Sequence, residues 1–251
     1  MLVIEIVIAT ALALFGAGLG WFVLGASQIV RRIRRDRISK VSELASGPAE
    51  LVGELRATDP VIAFDGSLAV VVQRSLRYKV KKDDEVYVSA PVMHTECSRV
   101  EVSDESGACL LEMDQMLILG DNKHHVFEGG RFRERYPKLW SEVVRLESGE
   151  TVDEVIADEI VVPDGARGFV SGEAMLDDSS EQGKPSRGGK RRFKLRGDSR
   201  RPLIVSGWDE KAVMGIFLWP MVRVAWLALL CWLVAAIAIA IPILLRARAG
   251  L

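Results

Sequence analysis

The sequence predicts a membrane protein in which two transmembrane α-helices flank a mainly β, α+β soluble domain, and three observations predict it. Apolar residues gather at the two ends of a chain that is 49% hydrophobic over 251 residues. Between the ends, apolar and polar residues alternate in short runs, the pattern of half-buried strands. Basic residues cluster beside the apolar ends, as they do on the cytoplasmic flanks of membrane spans.

Residues 6–30, IVIATALALFGAGLGWFVLGASQIV, hold no charge, and a bilayer needs only about 20 apolar residues to cross. A cleaved signal peptide would carry its positive charge ahead of the apolar run. Here Glu5 precedes it, and Arg31, Arg32, Arg34, Arg35, Arg37 and Lys40 follow. The reading is an uncleaved anchor over 1–30 with a basic collar over 31–40. Residues 224–245 are likewise uncharged and form the core of a second span over 215–245, ahead of a short tail over 246–251. A core helix is usually shorter and amphipathic, whereas this segment is apolar all round. Pro242 would kink its last turn without preventing insertion. Asp209 and Glu210 suit the first turn of the helix that enters it, where negative charge favours the macrodipole.

Orientation follows from the flanking charges. The collar with Lys211 and Arg223 puts eight basic residues on the domain side, against Arg246 and Arg248 beyond the second span. This predicts an integral membrane protein with the domain on the cytoplasmic side and both termini extracytoplasmic. Residues 41–210 hold 32 Asp and Glu against 23 Lys and Arg, a net charge of −9. An acidic domain disfavours nucleic acid, which needs a basic surface. Of the three cysteines, Cys231 lies in the second span, so only Cys97 and Cys109 remain to pair. That is too few for a disulfide framework.

Within the domain, residues 38–59 begin amphipathic, break at Gly47 and Pro48, and continue as the strand AELVGEL. Residues 68–80 are rich in β-branched side chains, residues 85–104 alternate, and 108–120 form another apolar run, so each reads as strand. DDE at 83–85 and DESG at 104–107 have the chemistry of hairpin turns. Residues 133–149 place Leu139, Val143 and Leu146 at helical spacing before Gly149, which predicts the one helix of the domain. Strands return over 153–176 around a PDG turn at 163–165. Residues 177–192 are polar and rich in Gly and Ser, which predicts a flexible loop. A last strand pair, RFKLRG and RPLIVSG, over 192–207, leads into the second span.

Three stretches carry a family resemblance: SRVEVSDESGACLLEMD from Ser98 to Asp114, DEIVVPDGARGFVSGEAM from Asp158 to Met175, and RPLIVSGWDEKAV at the approach to the second span. With the order span, collar, strands, span, they resemble the GIDE or "beside a membrane" domain family, found in mitochondrial membrane E3 ubiquitin ligases and in bacterial proteins. The resemblance spans roughly residues 50–230 and implies a membrane-held module. The ligases append a Cys- and His-rich RING after the second span, and the sequence to Leu251 holds none, so no ligase activity is carried over. The family motifs transfer no catalytic constellation either.

Several residues bear chemistry. His94, Glu96 and Cys97 could supply base, carboxylate and nucleophile. In a strand, however, Cys97 points to the face opposite His94 and Glu96, and a solvated sheet edge is the plainer reading. His124 and His125, near Asp121 and Glu128, are the metal candidates, set against a simple polar loop. The basic run over 187–201, with Arg191, Arg192 and Lys194, joins Arg31, Arg32, Arg34, Arg35 and Arg37 as candidates for contact with anionic lipid. Gly16 with Gly20, and Ala236 with Ala240, present small faces at which helices approach closely. Packing within the chain is the leading reading there, and homodimerisation its rival.

The function expected is therefore a non-catalytic binding or scaffold domain recognising a protein, peptide or lipid ligand at the cytoplasmic membrane face. It needs no cofactor, and its expected partners are the bilayer, a protein and possible further copies of itself. The alternative is a membrane-linked hydrolase or metal enzyme built on His94 and Cys97 or on His124 and His125. Transport is poorly supported, because neither span carries an internal charge.

Overall fold

In the computed structural model the described residues are 10, 11, 13–21, 23, 24, 27, 30, 38–82, 85–147, 149–177, 193–199 and 201–249, with side chains described as far as 241. The chain divides into two compact units, Arg37–Glu210 and a second unit made of Met1–Asp36 with Lys211–Leu251.

The first unit is almost wholly β. Its strands are β1 (Gly47–Ala57), β2 (Val61–Ile62), β3 (Leu68–Lys82), β4 (Glu85–Val88), β5 (Val92–Cys97), β6 (Val100–Asp104), β7 (Gly107–Glu112), β8 (Met116–Leu119), β9 (Asp121–Glu128), β10 (Thr151–Pro163), β11 (Arg167–Leu176), β12 (Phe193–Arg196) and β13 (Leu203–Ser206). One sheet runs β1-β6-β7-β12-β11-β13-β8, and β1 also pairs with β11. That pairing closes β1, β6, β7, β12 and β11 into a barrel, while β13 and β8 continue from the remaining length of β11. The second sheet is a half-barrel with β3 and β10 at its centre and β9 on the far side of β10. On the other side of β3, β2, β5 and β4 pair in turn with successive parts of the strand.

Hydrophobic burial accounts for this division. β3 is buried at four successive positions, Ala69 to Val72, as happens where both faces of a strand are covered. Val70 and Val71 join the barrel core with Leu51, Leu55, Val102, Leu111, Val170, Leu195 and Leu203. Ala69 and Val72 turn the other way, to Val61, Ala63 and Val161. Each fully buried Val or Leu contributes about 1.5–3 kcal/mol, so the first part of β3, Ala69 to Val72, holds the two sheets together. Beyond it β3 alternates. Leu76, Tyr78 and Val80 point inward to Phe132, Leu139 and Val143 on two short helices, α1 (Gly129–Arg135) and α2 (Pro137–Val143).

The strands pass from one sheet to the other at short corners. Between β8 and β9, a side chain on Gly120 would collide with the Val161 carbonyl, so the chain needs glycine there. Between β10 and β11, Gly165 adopts φ +76°, and Asp164 Oδ1 accepts the Ala57 N–H at 2.8 Å.

Several expectations are corrected. The single helix over 133–149 is two helices, because Pro137 cannot donate the N–H that a continuous helix would need and instead occupies the first turn of α2. The stretch 85–104 is three strands, broken at Ser89–Pro91 and again before Val100. RFKLRG and RPLIVSG do not pair with each other: β12 lies between β11 and β7, and β13 between β11 and β8. Of the expected loop over 177–192 only Asp177 lies within the described residues, and of the basic collar only Ile38, Ser39 and Lys40.

In the second unit, α3 (Glu210–Ala249) runs for 40 residues, about 60 Å at the rise of an α-helix. Its stretch Glu210–Ile241, whose most apolar 18 residues have a mean hydropathy of 2.7 with 11% of them buried, is alone among the described residues long and apolar enough to cross a membrane. The fold class is therefore mostly β, a barrel and a half-barrel, with one C-terminal apolar helix, and not two transmembrane helices flanking a domain. The described positions between 10 and 30 are helical. An uncharged segment is not by itself a span.

Candidate functional site

The inner face of the half-barrel changes character along its length. Toward α1 and α2 it is apolar. Across its middle, cross-strand register sets His94 on β5 opposite Arg74 on β3, Arg74 opposite Glu159 on β10, and Glu159 opposite Lys123 on β9. A charged row thus occupies positions at which the period of the strands calls for apolar side chains.

Arg74 and Glu159 are fully enclosed, 3% and 0% exposed. Arg74 Nε donates to Glu159 Oε1 at 2.9 Å, Nη1 to Glu96 Oε2 at 2.8 Å, and Nη2 to the Ile62 carbonyl at 2.9 Å. Its guanidinium also lies 4.5 Å from the centre of the Phe64 ring. The Phe64 N–H donates to both Glu159 oxygens, at 3.2 and 3.1 Å. Removing two ions from water costs several kcal/mol each, and only geometry that satisfies the remaining polar atoms recovers it. The donors to Glu159 and the three acceptors around Arg74 provide that geometry, and they tie the β2–β3 loop to the sheet.

Around this pair stand further charged couples. His125 Nε2 lies 3.5 Å from Glu159 Oε2 and makes no hydrogen bond. Its ring is enclosed edge-on by Phe64 and stacked on Phe127. Lys123 pairs with Asp65, and that partnership, with the Ser67 contacts, holds the Asp65 carboxyl well below the usual carboxylate range. His94 Nδ1 approaches Glu142 on α2 at 3.4 Å. On the outer face, His124 Nδ1 meets Asp158 Oδ1 at 2.8 Å and Arg77 joins at 3.2 Å. The His124 hydrogen bond is the main cause of a lowered Asp158 pKa. All three histidines of the chain therefore sit on this sheet, each beside a carboxylate.

The histidines and cysteine expected to bear chemistry are separated by the pleat. His94 and Glu96 face inward and Cys97 pairs across to Val71 on the other face. Burial, with Asp114 and Glu96 nearby, pushes the Cys97 thiol up, away from the thiolate that a nucleophile requires. Cys109 is buried in the barrel and its thiol is pushed up to about 12. His124 and His125 point to opposite faces, so one ion cannot take both. No group of three His, Cys, Asp or Glu suited to a metal occurs among the described residues.

Of the expected lipid contacts, Lys194 lies on β12 with Nζ 3.3 Å from Glu112 Oε1. Arg31, Arg32, Arg34, Arg35, Arg37, Arg191 and Arg192 lie outside the described residues. Among the expected packing residues, Gly16 is buried, and an added Cβ would stand 2.8 Å from Trp232 Nε1. Gly20 has nothing within reach of a Cβ, and Ala236 and Ala240 are exposed. Burial on α3 instead falls on Met221, Val224, Ala228, Cys231, Ala235 and Ala238, alternating steps of three and four as along a helix–helix seam. Arg74 and Glu159 were the residues not foreseen. Their signal is present in the sequence as single charges in phase with the apolar positions of LAVVVQRSLRYKV and VIADEIVV.

No protein-family model matches the chain, and neither a curated protein nor a solved structure matches it.

Proposed function

We propose that this protein is a membrane-held, non-catalytic binding module of the beside-a-membrane type. Its β unit recognises a protein, peptide or lipid ligand, and α3 anchors it in the bilayer. The observation that carries the reading is α3 itself, an apolar helix whose side chains are left largely unburied by the rest of the chain. Exposed apolar surface on that scale costs too much in water and is satisfied in lipid. The β unit offers the second half of the argument. Its buried Arg74 and Glu159 are consumed in holding one another, and its histidines and cysteines do not converge, so its chemistry is that of a rigid scaffold.

The domain side is assigned to the cytoplasm by the basic residues that precede α3 in sequence, the run over 187–201 with Lys211, against Arg246 and Arg248 beyond its apolar stretch. Two experiments test the proposal. Photo-crosslinking of the full chain in its native membrane should yield adducts with a defined protein or with anionic lipid headgroups. Purified protein that turns over a substrate and yields no adduct overturns it. In vesicles of known orientation, protease should cut the β unit only when the cytoplasmic face is outward, and cutting from the opposite face refutes the orientation.

A further inference from the structure

We infer that β9 is the docking strand of this module and that its occupant is an extended, basic-ended peptide segment of a partner protein added as the next strand of the half-barrel. The inference rests on the binding-module reading and gives that reading a place and a ligand chemistry.

β9 pairs with β10 on one side and with no strand on the other among the described residues. Alternate residues of such a strand direct their N–H and C=O groups away from the sheet, where they template a further strand. The other edges are poor templates. β8 has four residues. The edge formed by β2, β5 and β4 is interrupted at Ser89–Pro91, where Ser89 turns back to Tyr78. β9 runs eight residues, DNKHHVFE, without proline. It is also anchored firmly enough to receive a ligand. His125 and Phe127 are held in the aromatic cluster, Lys123 is bound to Asp65, and the Trp208 indole donates to Asp121 at 3.1 Å.

The charges along the strand select the occupant. Asp121 and Glu128 stand exposed at its two ends, in a domain with 32 acidic residues against 23 basic ones. Glu128 is in a solvent-exposed ion pair with Arg131 at 3.2 Å, which a competing basic side chain can share. A second copy pairing antiparallel over the full length would set Asp121 opposite Glu128 at both ends and His124 opposite His125 in the middle, and like charges directly opposite are destabilising. A segment with Lys or Arg at each end meets both carboxylates favourably. Its middle would lie beside Val126, which is 56% exposed and favours an apolar or β-branched neighbour. Strand addition of this kind takes its affinity from the main chain and its specificity from alternate side chains.

The test uses the full chain in nanodiscs and amide hydrogen exchange over residues 121–128. The probe is an eight-residue peptide of valine and threonine with lysine at both ends. Two controls accompany it, the same peptide with glutamate at both ends and the lysine peptide N-methylated at alternate residues. The lysine peptide should slow exchange in β9 about tenfold or more, since edge amides gain a ladder partner, and neither control should. The Asp121→Lys, Glu128→Lys double variant should reverse the preference between lysine and glutamate peptides. Equal protection by the N-methylated peptide, protection at β8 or β4–β5 instead, or concentration-dependent protection without peptide, which marks a second copy, each overturns the assignment. So does the absence of any protection. If crosslinks to a partner persist in that case, only the edge is wrong; if they too are absent, the binding reading falls with it.

Discussion

Arg74 and Glu159 take inward positions that β3 and β10 otherwise fill with Val72, Leu76, Val155 and Val161. Losing one partner leaves a buried charge uncompensated, so Glu159→Gln or Arg74→Leu should each lower stability by about 3–5 kcal/mol in chemical denaturation followed by tryptophan fluorescence. The double replacement Arg74→Met, Glu159→Leu should cost less than either single change, because it removes both charges together. A second expectation concerns Asp158. Its folded pKa is depressed, chiefly by the His124 hydrogen bond, so its contribution is present above the unfolded carboxylate value near 4 and is lost as pH falls through the folded value. His124→Ala should therefore flatten the acid limb of the stability profile below about pH 4 relative to the unaltered chain. At this scale the sequence was read by residue type, which drew attention to His and Cys. The phase of a charge within an apolar strand is the more telling signal, and it marks Arg74 and Glu159 directly.

The elements were legible where their signals are local. The hairpin turn at 104–107 is one such place: Asp104 Oδ1 accepts the Ser106 and Gly107 N–H groups at 2.7 and 3.1 Å, and the strands to either side pair as β6 and β7. The alternation in residues 68–80 likewise marks β3. Partner choice was not legible, because β12 and β13 are neighbours in sequence and yet are separated in the sheet by β11, whose buried faces Val170 and Ala174 bring them together. The helix over 133–149 was misread because helical spacing of Leu139, Val143 and Leu146 was given more weight than Pro137. The corners carry the topology, which makes Gly120 a test of it. Gly120→Val forces a side chain against the Val161 backbone and should cost about 1–3 kcal/mol or more, as overpacking does. Gly130→Ala, within α1 where a Cβ meets nothing, should instead raise stability by about 0.4–1 kcal/mol in the same denaturation experiment.

On the scale of the whole molecule, the uncharged run at the C-terminal end falls within α3, a helix long and apolar enough to cross a membrane. The N-terminal run was read by the same rule and yielded the two-span fold class that the structure corrects. Absence of charge over residues 6–30 does not by itself make a span. A β unit whose buried Arg74 and Glu159 satisfy one another, joined to a helix that leaves its apolar surface open, is consistent with recognition at a bilayer. The most direct measurement of that claim uses Cys231, which lies within α3. In a Cys97→Ser, Cys109→Ala chain in sealed vesicles, a membrane-impermeant maleimide should leave Cys231 unmodified until detergent lets water reach it and its thiolate form. Equal labelling by the impermeant reagent in intact vesicles would place α3 in water and contradict the membrane-held account.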